Sequence, residues 1–302
     1  MRPQIWPFLT GQKICDKAGV PAGVVNVLTT SNPGAVTNAM LADPRVRKLS
    51  FTGSTAVGRT LLGEAARSVV NCSMELGGNA PFLVFDDADL EAALDGAMIA
   101  KMRNAGEACT AANRFYVQSG IHDAFVAGLT ARMDALKVGA GYAPDTQCGP
   151  MITKTAVVKI DRLVTDAISL GARATTGGKP LTEGGYFYPP TVLENVPVDA
   201  AIASEEIFGP VAPVYKFESE DEAIQLANST EYGLAAYIYS RDLKQAMRVG
   251  KRLETGMLGI NRGLMSDPAA PFGGVKQSGL GREGGVTGIL EFMEAKYYAV
   301  DY

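Results

Sequence analysis

The chain has 302 residues, enough for two domains with cores of their own, and 47% of them are apolar, which excludes a disordered or fibrous protein. Its formal charge of −4 arises from interspersed acidic and basic residues, so it carries no electrostatic footprint for nucleic acid or an anionic membrane surface, and small-molecule chemistry is the expectation. Cys15, Cys72, Cys109 and Cys148 are widely spaced without a C-x-x-C pair, which points to a reducing, cytoplasmic setting and not to a disulfide scaffold.

The opening, Met1 to Lys13, lacks the apolar stretch of a signal peptide, and no run in the chain approaches the roughly 20 apolar residues of a membrane helix. Pro3, Trp6 and Pro7 run at once into a helix-like stretch, as though the chain begins partway into a fold. From Val46 onward short β-rich runs alternate with helical periods, the pattern of βα units around a mostly parallel sheet. Arg47 to Phe51 reads as a strand, Thr55 to Ser68 as a helix and Pro81 to Phe85 as a strand. Asp86, Asp87 and Asp89 offer N-caps for a helix with the stripe Leu90, Leu94, Ala97, Met98, which leads straight into Cys109. The alternation continues through RFYV at Arg114 to Val117 and a helix through Phe125, Leu129 and Met133. A helix from Ala156 to Leu170, strands near Val211 to Phe217 and Leu234 to Ser240, and MLGIN at Met257 to Asn261 complete it. There is no internal repeat, and the glycine- and proline-rich loops (Gly184 to Pro190, Ala269 to Gly274) are short.

Two glycine-rich segments suggest phosphate binding. FTGSTAVGRT, Phe51 to Thr60, lies between a strand and a helix, where unpaired N–H groups and the helix dipole favour an anion. Its spacing approaches a P-loop, but Arg59 stands where that motif needs lysine; the alternative is a tight turn with Ser54 or Thr55 as an ordinary N-cap. Gly279-Leu-Gly281-Arg-Glu-Gly284 spells G-x-G-x-x-G, yet it follows no strand and opens no helix, so it reads as backbone permissiveness.

Cys109 lies in NAGEACTAAN, where Gly106, Ala108, Ala111 and Ala112 leave room for a substrate to approach; small residues also suit close helix packing, and most buried cysteines are inert. Cys72, two residues before MELGG, deserves the same hearing. Glu75 is a carboxylate among apolar and glycine residues, a setting that raises a pKa and suits a general base, although a capping or loop role is open to it. His122, the only histidine, begins a polar helix turn and reads as a surface residue, and no metal site is expected.

Together FTGST, MELGGNAP, the cysteine 34 positions after Glu75, EEIFGPV and PFGGVKQSGLGREGG resemble the NAD(P)-dependent aldehyde dehydrogenases, from about Ala18 to the end. GNAPFLVFDDADL and the surroundings of Cys109 look most like the succinate-semialdehyde branch. The resemblance implies an α/β fold with a partial Rossmann-type cofactor domain and a catalytic domain built on a mostly parallel sheet. Residues 1–77 would be the remnant of the dinucleotide-binding domain, 78–277 the catalytic domain, and 278–302 the C-terminal return and oligomerisation strand. Cys109 would be the nucleophile and Glu75 the general base. Gly53 and Ser54 would face the phosphates of NAD or NADP, Leu76 the nicotinamide, and Glu206 with Phe208 its ribose. Arg103 and Ser266 would bind the carboxylate of a small aldehyde substrate. A terminal strand within Lys296 to Tyr302 would serve a homo-oligomer, dimer or tetramer.

The sequence departs from that family in what it lacks. Most of the dinucleotide-binding sheet, an upstream asparagine that donates to the oxyanion, a lysine for the adenosine ribose and a second substrate arginine have no counterpart here, so the chain is expected to be N-terminally truncated. Ala111 stands where some semialdehyde dehydrogenases carry a second cysteine. Two functions follow from these features: an aldehyde-oxidising enzyme, or a catalytically silent fragment or partner subunit. The choice between NAD and NADP stays open.

Overall fold

The structure, a computed structural model, describes residues 5–181 and 184–302; the opening Met1 to Gln4 lies outside them. The chain divides into two compact units, Met1–Arg47 with Gly63–Asn71 and Lys48–Leu62 with Cys72–Tyr302. In the first, α1 (Ile5–Lys17) precedes α2 (Pro33–Leu41). The second helix starts where Asn32 accepts the Ala35 N–H at 3.3 Å and Pro33, with no N–H to orphan, takes the first helical position. Leu41 and Ala65 are buried in this unit, whereas Ile14, Val24, Val25, Leu28 and Val69 are exposed.

Next come β1 (Lys48–Thr52), α3 (Thr55–Ala66), β2 (Asn71–Glu75), β3 (Ala80–Val84), α4 (Leu90–Met102) and β4 (Ala112–Gln118). They are followed by α5 (Ser119–Asp134), α6 (Lys154–Ser169), β5 (Arg173–Thr176), β6 (Thr191–Glu194), α7 (Ala201–Ser204) and β7 (Val211–Phe217). The chain then adds α8 (Glu220–Asn228), β8 (Tyr232–Gly233), β9 (Ala235–Tyr239), α9 (Leu243–Gly250) and β10 (Met257–Ile260), and ends its strands with β11 (Val275–Lys276) and β12 (Gly279–Leu280).

The main sheet runs β10-β9-β3-β4-β7-β6-β5, parallel at every pairing except β5 with β6. The mostly parallel α/β sheet expected from the sequence is therefore present. Its centre is buried on both faces, so β3 reads as a continuous apolar run, not an alternating one. On one face Phe82 meets the rings of Phe115, Phe125, Tyr237 and Tyr239; on the other, Leu83 joins Ile160, Leu163 and Val164 of α6. A smaller sheet has the order β1-β2-β12.

Several element edges differ from the sequence reading for identifiable reasons. The third helix ends at Ala66, and Val69 at φ 52 marks the turn beyond it. The sixth begins at Lys154 because Thr153 accepts the Ala156 N–H at 3.1 Å. Asp89 alone caps α4, accepting the Ala92 N–H at 3.1 Å, while Asp86 takes the Ile121 N–H and Asp87 the Asp242 N–H. That helix does not run straight into Cys109: it stops at Met102, and a 3-10 turn over Arg103–Gly106 has Asn104 and Ala105 at φ 53, in the left-handed region.

His122 is not a surface residue. It is 6% exposed on α5, with its Nδ1 2.8 Å from Asp123 Oδ1. Of the G-x-G-x-x-G segment, Gly279 joins β12 opposite Glu75; its φ is 138 and a Cβ there would strike the Met74 carbonyl, so glycine serves backbone approach, as expected. Among the described residues no strand forms after Leu280, and Tyr297, Tyr298, Val300 and Tyr302 are exposed. A strand at Lys296 to Tyr302 is thus absent from the single chain; the open edge of a neighbouring sheet is what such a segment would pair with.

The topology places three loops side by side. Residues 77–79 enter β3, residues 109–111 enter β4 and residues 206–210 enter β7, and these strands are adjacent and parallel. Their amino ends therefore gather Gly78, Cys109 and Glu206 at one edge of the sheet.

Candidate active site

A cavity of about 660 Å³ opens at that edge, and all nine residues singled out from the sequence line it: Gly53, Ser54, Glu75, Leu76, Arg103, Cys109, Glu206, Phe208 and Ser266. Cys72 lines no part of it, and Cys148 is buried in the main core. Among the described residues no cluster of metal-ligating side chains occurs and no disulfide forms.

The cysteine follows the left-handed turn that ends α4. Gly78 packs against it so closely that a Cβ on Gly78 would run into the Cys109 carbonyl. Tyr237 donates its hydroxyl to the Thr110 carbonyl at 2.8 Å, and Arg103 Nη2 donates to Thr110 Oγ1 at 3.0 Å, so Thr110 is fixed from two sides. Burial raises the Cys109 thiol, Glu206 and Glu75 raise it further, and the N–H groups of Cys109 and Thr110, turned toward the sulfur, pull it down.

Glu75 ends β2 with 5% of its surface exposed, and its Oε2 is buried without a protein partner. Burial pushes its carboxyl up to about 8, with Glu283 adding to the rise and Arg282 opposing it. Glu75 is also a lining residue of the cavity that holds the thiol.

Glu206 also lines the cavity and accepts the Gly78 N–H at 3.0 Å. Its carboxyl is raised, chiefly by burial, against the pull of that N–H, Lys159 and Lys101. Phe208 beside it adopts φ 54, a left-handed conformation costly for a bulky residue, on the order of 1–3 kcal/mol. Ser54 stands at the head of α3, its Oγ 3.4 Å from the Val57 nitrogen. Arg59 pairs with Glu231 at 2.6 Å, donates to Gln277 at 3.2 Å and does not line this cavity. Thr55 is buried and takes the Gly77 N–H at 3.3 Å.

Sequence reasoning missed Thr110, Lys159, Glu107 and Phe272, which also line the cavity. Lys159 belongs to α6, distant in sequence from every motif, and only tertiary packing brings it to Glu206.

The sequence matches the model of the "Aldehyde dehydrogenase family" over residues 8–298, and the chain belongs to that family. It is similar to the succinate-semialdehyde dehydrogenase of Paenarthrobacter nicotinovorans, with 56% identity over 94% of this chain and 63% of the relative. A glutarate-semialdehyde dehydrogenase of Pseudomonas aeruginosa is 50% identical over 94% of this chain and 59% of the relative. Among solved structures, an E. coli NADP dependent enzyme superposes with a TM-score of 0.92 at 50% identity, covering 94% of this chain and 59% of that one. The succinate-semialdehyde dehydrogenase from Burkholderia pseudomallei gives the same TM-score of 0.92 and the same coverage. The chain spans less than two thirds of the length of these relatives. No helix among the described residues is long and apolar enough to cross a membrane.

Proposed function

We propose that this chain oxidises a small aldehyde, succinate semialdehyde in the first instance, to its carboxylic acid with NAD or NADP as the oxidant. The observation that carries this reading is the convergence of Cys109, Glu75, Glu206 and the exposed Arg103 on one cavity. The names of the relatives, two of them acting on ω-carboxy aldehydes, support the substrate class.

The donor set fits a dinucleotide. Glu206 would accept from ribose hydroxyls with Phe208 packed beside it, Leu76 would offer apolar surface to a nicotinamide ring, and Gly53 and Ser54 at the head of α3 would suit a phosphate. When bound there, the dinucleotide supplies the hydride acceptor.

The Cys109 thiol passes its proton to solvent water and the thiolate sulfur adds to the aldehyde carbon, whose tetrahedral oxyanion takes hydrogen bonds from the N–H groups of Cys109 and Thr110. After oxidation the carbon is held on Cys109 as a thioester. Glu75, ionised, removes a proton from a water as the water adds to the thioester carbon; the C–S bond then breaks, and Glu75 returns the proton to the departing thiolate, releasing the acid and the thiol. Arg103 and Ser266, on the cavity rim, hold the far carboxylate of the substrate.

This reading includes a homo-oligomer, dimer or tetramer, supported by the exposed apolar run Val286, Ile289, Leu290, Phe292 and Met293. It also includes a reducing, cytoplasmic setting, supported by four cysteines without a disulfide. The test is the formation of reduced nicotinamide by the purified chain with succinate semialdehyde and either cofactor, with Cys109→Ser alongside. Turnover that disappears in the variant is expected. Well-folded protein without turnover would instead support a silent fragment or partner subunit.

A further inference from the structure

Lys101 is a lysine that the proposed chemistry does not use, and it is completely buried, at 0% exposure. It lies on the stripe of α4 that also buries Leu94 and Ala97. Its ammonium donates to Asn113 Oδ1 at 2.9 Å and to the Gly209 carbonyl at 3.3 Å. Each acceptor leads to Glu206 by a separate route. Asn113, on β4, points Nδ2 at the Gly78 carbonyl at 3.5 Å, and the Gly78 N–H binds Glu206 Oε1 at 3.0 Å. Gly209 lies on the turn just after Glu206, next to the left-handed Phe208.

We infer that Lys101 is a positioning residue: one buried ammonium ties the Gly78 segment to the Phe208–Gly209 turn and so fixes the Glu206 carboxylate in the cavity. The consequence for cofactor binding rests on the function proposed above; the positioning does not.

An ammonium is an expensive choice for this place. Burial drives Lys101 down to about 7, with Glu206 pulling it back up, and Lys101 in turn favours the ionised form of Glu206. An apolar side chain of similar length would fill the volume without desolvating a charge. What it could not do is donate at once to an acceptor on β4 and to another on the turn after Glu206.

Hydrogen exchange of the full chain without nucleotide, resolved at Gly78 and at residues 206–209, tests the positioning. Lys101→Met is expected to speed exchange at both places by about tenfold, the factor for loss of one buried hydrogen bond. Asn113→Ala is expected to speed it at Gly78 alone, and the amides of β9 should keep their wild-type rates in both variants. Wild-type exchange at both places in Lys101→Met, or a rise that includes β9, would overturn the inference. Should Lys101→Met fail to fold, unchanged exchange at Gly78 in Asn113→Ala would overturn it as well.

The dinucleotide dissociation constant then reads the consequence. Lys101→Met should weaken binding about tenfold. If exchange responds as expected but the wild-type chain binds neither NAD nor NADP, the positioning stands and the cofactor reading falls.

Discussion

Gly78 and Cys109 are packed so that the α-carbon of the glycine stands against the carbonyl of the cysteine, and a Cβ there would overlap backbone atoms. The same glycine gives its N–H to Glu206 at 3.0 Å, so one residue without a side chain touches both the Cys109 backbone and the Glu206 carboxylate. Gly78→Ala must therefore push either the 109–111 loop or the Glu206 contact out of place. The expected cost is roughly 1–3 kcal/mol of stability, with a fall in turnover of about 10² from misplacement of the nucleophile. Urea denaturation and steady-state kinetics on the variant check both; turnover at the wild-type rate would show that the close approach is not functional.

Cys109→Ser is expected to abolish turnover, because a hydroxyl in that setting has no accessible anion and the neighbouring N–H groups cannot compensate. Cys72→Ser and Cys15→Ser should retain it, since neither thiol lines the cavity. Reduced-nicotinamide absorbance measured on the three variants separates the cases, and activity persisting in Cys109→Ser would remove the cysteine from the mechanism.

Glu75 carries a sign that two measurements can read. Its carboxyl rises from 4.5 to about 8 on folding, so between those values the folded chain binds more protons than the unfolded one and stability falls as pH rises. The stability that goes with the neutral carboxyl is full below about pH 4.5 and is lost as pH rises through about 8. Glu75→Gln should flatten that slope in denaturation curves taken from pH 5 to pH 9. Activity moves the other way: if ionised Glu75 is the base, the rate climbs through about pH 8, and in the variant only the rise set by the Cys109 thiol is left. Because Glu75 also raises the Cys109 thiol, the same variant should alkylate faster at pH 8. Slower alkylation would mean that Glu75 helps remove the thiol proton instead of repelling the thiolate.

Much of this site was legible in the sequence because its parts sit in compact motifs. MELGGNAP carries Glu75, Leu76 and Gly78 within a few residues, and the turn after β1 carries Gly53 and Ser54, so local order preserved the chemistry. The parts that were not legible depend on tertiary contact. His122 sits one residue before an acid, which suggested a surface turn, but α5 packs that face against the sheet and buries it. The left-handed break at Asn104 and Ala105 has no turn-forming glycine at those two positions, so the apolar period of α4 appeared to run on toward Cys109. Lys101 did leave a trace: it occupies a stripe of otherwise apolar residues, where a lysine has to find a buried partner or leave the core.

Arg103 offers the sharpest test of substrate class. Its guanidinium gives one hydrogen bond to Thr110 at 3.0 Å, remains exposed and lines the cavity of Cys109, so donors are left for a carboxylate at the rim. A charge-assisted bond of that kind contributes about 1.5–3 kcal/mol, tenfold or more in KM. Arg103→Ala should raise the KM for succinate semialdehyde by that factor while leaving a neutral aldehyde of similar length nearly unaffected, because only the first presents an anion to the vacant position. The bond to Thr110 complicates the comparison, since its loss could loosen the Cys109 loop for every substrate. Arg103→Lys resolves this: it keeps the positive charge but not the planar fork, and should recover part of the preference for succinate semialdehyde. An equal loss for both aldehydes in both variants would assign Arg103 to support of the loop and send the search for the carboxylate partner to Ser266 and its neighbours.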